Sequence, residues 1–194
     1  AHRGVLFLDE FPAFTRQVLE ALRQPMEVGS IVVSRAAGSV KFPSRFTLVA
    51  AANPCPCGFF GDETRSCTCN PGMITRYQKR ISGPILDRID MHVTVPAVRV
   101  EKLTGKFAVE PSAKIQARVQ RARDIQIKRF RSLPIKSNAE MSPKQMKKFA
   151  SLDDQSILLL KQAISKLNLT ARAFHQVIKI ARTIADLENS PKIK

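Results

Sequence analysis

Two adjacent carboxylates, Asp9-Glu10, follow directly on the apolar run Val5-Leu6-Phe7-Leu8, which Gly4 introduces. Such a run suits a buried parallel strand, and an open α/β sheet binds its ligand beyond the carboxyl ends of its strands. At that place one carboxylate can hold magnesium while its neighbour orients or deprotonates an attacking water. The alternative is a core strand that ends in an acidic turn. A second apolar run, Phe46 to Ala52, stops at Asn53-Pro54. An amide beside the acidic pair can hydrogen-bond the same water or a terminal phosphate oxygen, or it can simply begin a turn before proline.

Four cysteines come next, as the pairs Cys55-Pro56-Cys57 and Cys67-Thr68-Cys69. Four thiols on one loop match the ligand count of a closed tetrahedral zinc site, although paired zinc ligands more often have two or more residues between them. Unliganded thiols are the alternative, and disulfides are disfavoured because nothing signals an oxidising compartment. Arg88 lies between Asp87 and Asp90 beside an apolar turn. It is either a salt-bridged structural residue or an arginine finger that reaches a γ-phosphate in the next subunit of a ring. Arg172 falls in the first turn of the last helix, where a cation opposes the helix dipole unless an anion compensates. That position fits a phosphate contact, with a surface arginine as the alternative. His92 alternates with Met91 and Val93 and reads as a strand side chain, not a ligand.

These side chains need elements to place them. Thr15 can cap a helix through Arg23 that puts Val18, Leu19 and Leu22 on one face, and Pro25 ends or kinks it. The runs 31–35 and 39–42 flank Ala36-Ala37-Gly38, which predicts a hairpin with a three-residue loop. Arg35 and Lys41 near its tip are candidates for contact with DNA, or else ordinary cations of a surface hairpin. Residues 91–95 alternate as a further strand. Residues 98–111 have the composition of a linker, and Gly105-Lys106 within it is no phosphate-binding loop, because no Gly precedes it by five residues and Phe107 replaces the required hydroxyl. Helices follow: 113–130 capped by Ser112, a short one opened by Ser142-Pro143, one opened by Ser151 with Asp154, and a long one capped by Thr170.

The 194 residues suffice for one sizeable domain or two small ones, and 44% hydrophobic with 25% charged residues suits a globular chain. There is no run of about 18 apolar residues and no basic-then-apolar leader, so neither a membrane span nor secretion is expected, and the setting is read as cytoplasmic. Ala1-His2-Arg3 leads straight into the first strand without an initiator Met, as in a fragment of a longer chain. The net charge of +16 is uneven: residues 1–97 carry 11 Lys/Arg against 8 Asp/Glu, and residues 98–194 carry 21 against 8. A basic half of this kind suits a polyanion such as DNA or RNA, or forms a solvated basic face.

The order of segments resembles the magnesium-chelatase-like AAA+ ATPases of the ComM/YifB family. The resemblance is carried by Gly4 to Glu10, Val18 to Pro25, Ser34 to Gly38, Ala52 to Gly58, Ile81 to Asp90, Thr170 to Phe174 and Ala181 to Leu187. It implies the fold of a partial AAA+ P-loop NTPase core, α/β with parallel strands and a pre-sensor-1 hairpin, over 1–97, followed by an all-α lid over 112–194. It also implies roles: Asp9 and Glu10 as Walker B, Asn53 as sensor 1, Arg88 as the trans-acting finger, and Arg172 as sensor 2. ATP and magnesium are the implied cofactors, a hexameric ring the implied assembly, and DNA the implied partner, with ATP-driven branch migration in natural transformation as the activity. Two other functions stand beside it. One is the motor subunit of a magnesium chelatase, against which the four-cysteine loop argues; the other is a basic DNA-binding module without catalysis.

Overall fold

The computed structural model describes residues 1–36, 38–96 and 110–193. The chain divides into two compact units, Ala1–Val98 and Arg99–Lys194. Most of the predicted linker, 98–111, lies outside the described residues.

In the first unit, β1 (Val5–Leu8) pairs in parallel with β4 (Thr47–Ala50), Val5 opposite Thr47 and Leu8 opposite Ala50. Between them run α1 (Arg16–Ala21), α2 (Arg23–Val28) and the hairpin of β2 (Ser30–Arg35) with β3 (Gly38–Pro43). Thr15 caps α1 as its side chain accepts the Val18 amide at 3.4 Å. The helix breaks at Leu22 and resumes as α2 with Pro25 in its first turn, where a missing N–H costs nothing. Gly29 ends α2 with φ of 70°, and a Cβ there would lie 2.8 Å from Cγ of Arg45, so glycine is required twice over. The hairpin closes one residue tighter than its sequence suggests, since Gly38 pairs with Arg35 and belongs to the strand.

The small core of this unit is Phe11, Leu19 and Ile85, with Leu8, Leu22, Ile81 and Ile89 packed against it. Each fully buried member contributes about 2–3 kcal/mol. The expectation of fully buried strands is not met: Val5 is 63% and Phe7 59% exposed. Each strand has one neighbour only among the described residues, so each keeps an unpaired edge, and the sheet face that carries Val5, Phe7 and Val49 is open. Residues 91–95 are not a strand either. Alternation makes a segment fit for a sheet, but a ladder needs a partner, and Met91, Val93 and Val95 lie exposed without one among the described residues.

The second unit is helical: α5 (Ser112–Arg129), α6 (Pro143–Phe149), α7 (Asp154–Leu167) and α8 (Ala171–Leu187). Pro111, not Ser112, occupies the capping position of α5, and Asp153, not Ser151, caps α7 by accepting the Ser156 amide. Ser142 and Gln145 form a reciprocal capping box on α6, and Thr170 accepts the Ala173 amide to start α8. Phe130, Ile135, Met141, Met146, Leu160 and Ile178 belong to the core. No described helix is long and apolar enough to cross a membrane.

Candidate functional site

Parallel pairing brings the acidic pair and Asn53 to the same end of one sheet. The ladder continues past the strands as Ala51 donates to the Leu8 carbonyl at 2.9 Å and Phe11 donates to the Ala51 carbonyl at 2.8 Å. Asp9 and Glu10 are therefore pinned between a half-buried Leu8 and the buried Phe11, with both carboxylates exposed. Glu10 adopts a left-handed backbone, φ 49° and ψ 44°, at a cost of about 1 kcal/mol for a non-glycine residue. Its amide donates to Oδ1 of Asp9 at 2.8 Å, which orients that carboxylate. Asn53 is exposed, three residues beyond β4.

The four cysteines converge. Cys55, fully buried, has its sulfur 3.3 Å from that of Cys57 and 3.7 Å from that of Cys67, and Cys57 lies 3.5 Å from Cys67. The four Sγ atoms lie within 4.8 Å of one another, and none is in a disulfide. The Phe59 amide, pointing at the Cys57 sulfur, leads the effects that hold that thiol at about 5. The Cys69 amide favours the Cys67 thiolate, but burial and the sulfurs of Cys57 and Cys55 outweigh it and push the thiol up to about 12. One thiolate thus forms readily and opposes the next. A bound cation would remove that conflict, because all four sulfurs could then coordinate as thiolates.

Immediately after Cys69, Asn70 caps α3 (Pro71–Gln78) by accepting the Met73 amide. At the other end of α3, Gln78 Nε2 donates to the Pro54 carbonyl at 3.2 Å, and the Tyr77 hydroxyl lies beside the Asn53 amide, which favours its phenolate slightly. Burial first, and then the charge of Glu10, pushes the Tyr77 phenol up. Nothing in the sequence singled out Tyr77 and Gln78. A shallow groove of about 630 Å³ along α3 is lined by Pro71, Gly72, Thr75, Arg76, Lys79 and Arg80. Asp9, Glu10 and Asn53 do not line it.

Arg88 follows the short helix α4 (Gly83–Leu86) and is tucked in: its side chain is 11% exposed, Nη2 donates to Glu27 at 2.6 Å, and Nη1 donates to the Pro84 carbonyl. Its Nε is buried without a hydrogen-bond partner. The predicted neighbours Asp87 and Asp90 are not the partners of these bonds. Glu27 is a long-range pairing that a local reading of charges cannot find. On the hairpin, Arg35 lies opposite Gly38 and Lys41 opposite Val32, so the two exposed cations point to opposite faces. Arg172 is the second residue of α8 and is half-buried.

In the second unit, a buried ionic network went unpredicted. Asp186 accepts from Nη1 of Arg129 at 2.7 Å, from Nδ2 of Asn138 at 2.8 Å, and from Nε and Nη2 of Arg182 at 3.1 and 2.9 Å. Arg182 also donates to the carbonyls of Ser190 and Pro191, so the network fastens the chain's end to α8.

Residues 1–103 match the family described as magnesium chelatase, subunit ChlI, and residues 109–194 match its C-terminal family, magnesium chelatase, subunit ChlI C-terminal. The chain belongs to the magnesium chelatase ChlI family. It is similar to competence protein ComM of Haemophilus influenzae, 43% identical over 196 residues, covering 100% of this chain and 37% of that protein. It is likewise similar to the uncharacterized protein YifB of Escherichia coli, 40% identical with 98% of this chain and 37% of that protein covered. YifB of Salmonella typhimurium is 38% identical over 195 residues, with 100% and 37% covered. The chain thus spans little more than a third of the length of these ComM and YifB relatives. Within this magnesium-chelatase-like family, the α/β unit is part of an AAA+ core and the helical unit is its C-terminal domain.

Proposed function

We propose that this chain is part of an ATP-driven AAA+ motor that acts on DNA, a ComM-like helicase working as a homo-oligomeric ring, most simply a hexamer, in the cytoplasm. The observation that carries the ATPase half is the juxtaposition of Asp9, Glu10 and Asn53 at the carboxyl ends of two hydrogen-bonded parallel strands. Two exposed carboxylates on a pinned backbone fit the magnesium side of such a site. Magnesium-bound ATP supplies the activated phosphoryl group. In this reading Asp9 would ligate the metal, Glu10 would take a proton from the attacking water and Asn53 would orient it, while Arg172 would serve as the lid's phosphate contact. No Gly-rich Lys-Ser/Thr loop occurs in these 194 residues, so the test belongs to the full-length protein.

The DNA half is supported by the +16 net charge and by the basic groove along α3 with the hairpin cations Arg35 and Lys41. ATP hydrolysis by the full-length protein is expected to rise several-fold with DNA and to lose that rise as salt increases, because phosphate contacts release counterions. Hydrolysis indifferent to DNA at low salt would overturn it. A magnesium chelatase motor subunit is the second reading, favoured by the description of the matching family. It predicts stimulation by a protein partner instead.

In this reading Arg88 leaves Glu27 to reach the neighbouring subunit's nucleotide. Arg88→Ala is expected to abolish hydrolysis, and mixing it with Glu10→Gln subunits to restore part of it at interfaces that draw each intact group from a different chain. Mixed rings that form but show no rescue would count against a trans role. Zinc, held by Cys55, Cys57, Cys67 and Cys69, completes the cofactors of the proposal.

A further inference from the structure

The four-cysteine centre, we infer, is a structural zinc clamp that fixes the position of Asn53, by closing a ring of contacts from the end of β4 through the sulfurs and back along α3. The inference rests on the zinc reading above and assigns that metal its task.

The donor set comes first. Zinc–sulfur bonds of about 2.3 Å in a tetrahedron place ligand sulfurs about 3.8 Å apart. Cys55, Cys57 and Cys67 already stand 3.3 to 3.7 Å apart, and Cys69 completes a group within 4.8 Å. Four soft ligands leave no position open for water or substrate, which marks a structural centre and not a catalytic one. Backbone amides are aimed at the sulfurs: those of Phe59 and Thr68 at Cys57, that of Cys57 at Cys69, and that of Cys69 at Cys67. Such N–H groups orient thiolate ligands and support their charge.

The loop itself supplies little else. From Ala51 to Asn70 there is neither helix nor strand, and of its two phenylalanines Phe60 is 48% exposed while Phe59 is half-buried, with the Arg65 guanidinium 5.2 Å from its ring. Asp62 gathers the Thr64 and Arg65 amides, and Gly58 closes a turn on Cys55, but these bonds span at most three residues. A connection of this length without secondary structure is uncommon in a compact domain and needs a staple. The sulfurs join its two ends.

The ring then closes through α3. Cys69 abuts the Asn70 cap, the helix runs about 12 Å, and its last residues return to the chain just before Cys55, where Gln78 holds the Pro54 carbonyl and Tyr77 lies beside the Asn53 amide. Beyond the Ala51 bond to β1, the backbone of Asn53 and Pro54 is thus secured by a helix whose own start is secured by the cysteines. Filling the centre rigidifies all three pieces together.

The test uses full-length protein purified without added zinc. Metal analysis is expected to return about one zinc per chain, and cobalt(II) in its place to give the absorption of a tetrahedral thiolate site. Hydrogen exchange by mass spectrometry is then compared before and after chelation. Exchange in the peptide covering 51–57 and in α3 is expected to accelerate at least tenfold on zinc removal, while the β2–β3 hairpin stays unchanged. Tyr77→Phe is expected to accelerate exchange at Asn53 with the cobalt spectrum intact, which separates the clamp from the metal. Absence of zinc, or disulfides in its place, would overturn both the metal and the clamp. Bound zinc whose removal alters only 55–69 would leave the metal site standing and overturn the clamp.

Discussion

Glu10→Gln in the full-length protein is expected to bind Mg-ATP as the parent does and to turn it over at least about 100-fold more slowly, the usual cost of losing a positioned general base. The substitution is close to isosteric and the left-handed backbone is held by Leu8 and Phe11, not by the Glu10 side chain. The bond that orients Asp9 comes from the Glu10 main-chain amide, so it survives in the variant. Magnesium coordination and proton abstraction are thereby separated. Asp9→Asn should instead weaken nucleotide binding. Equilibrium binding beside single-turnover hydrolysis distinguishes the two, and turnover by Glu10→Gln within about tenfold of the parent would remove Glu10 from the role of base.

Much of this arrangement was legible because it is local. The apolar runs that became β1 and β4 end in polar residues at fixed places, and their parallel pairing follows from a connection long enough to cross over. Thr15, Ser142 and Thr170 announced helix starts because a hydroxyl before a helix has one obvious use. The four thiols were visible by count, and their convergence needed only a loop that folds back. What failed was non-local. Residues 91–95 have the alternation of a strand, but pairing depends on a neighbour that composition does not reveal. Local charge order pairs Arg88 with Asp87 and Asp90, yet the carboxylate it bonds is Glu27, 61 residues away. Tyr77 looked like one polar residue on a short helix, and its importance lies in where the end of that helix returns.

The ionic network left a fainter signal: Arg182 and Asp186 stand four apart on the stripe of α8 that also buries Ile178 and Ala185. Charged residues on a buried stripe are rare unless paired. Asp186, whose side chain has no exposed surface, is the anion between Arg129 and Arg182, 14% and 4% exposed. Burial opposes its charge, but the hydrogen bonds of Arg129 and Asn138 and the two guanidinium charges hold its carboxyl below the ordinary value of 3.8. A group depressed in this way stabilises the fold above the unfolded value, and that contribution disappears as pH falls through the folded one. Asp186→Asn keeps the shape and removes the charge, leaving two guanidinium groups without their anion. The expected loss is about 3–5 kcal/mol near neutral pH, at least about 100-fold in the unfolding equilibrium of the helical unit. Exchange of the buried amides of α8 in the 194-residue chain reads this directly. The gap between parent and variant should persist at pH 7 and 5 and close in acid below 3.8, where the parent's own carboxylate protonates. A loss under about 1 kcal/mol, or a gap unchanged in acid, would mean that Asn138 and the packing around Ile178 hold this corner of the fold without the charge.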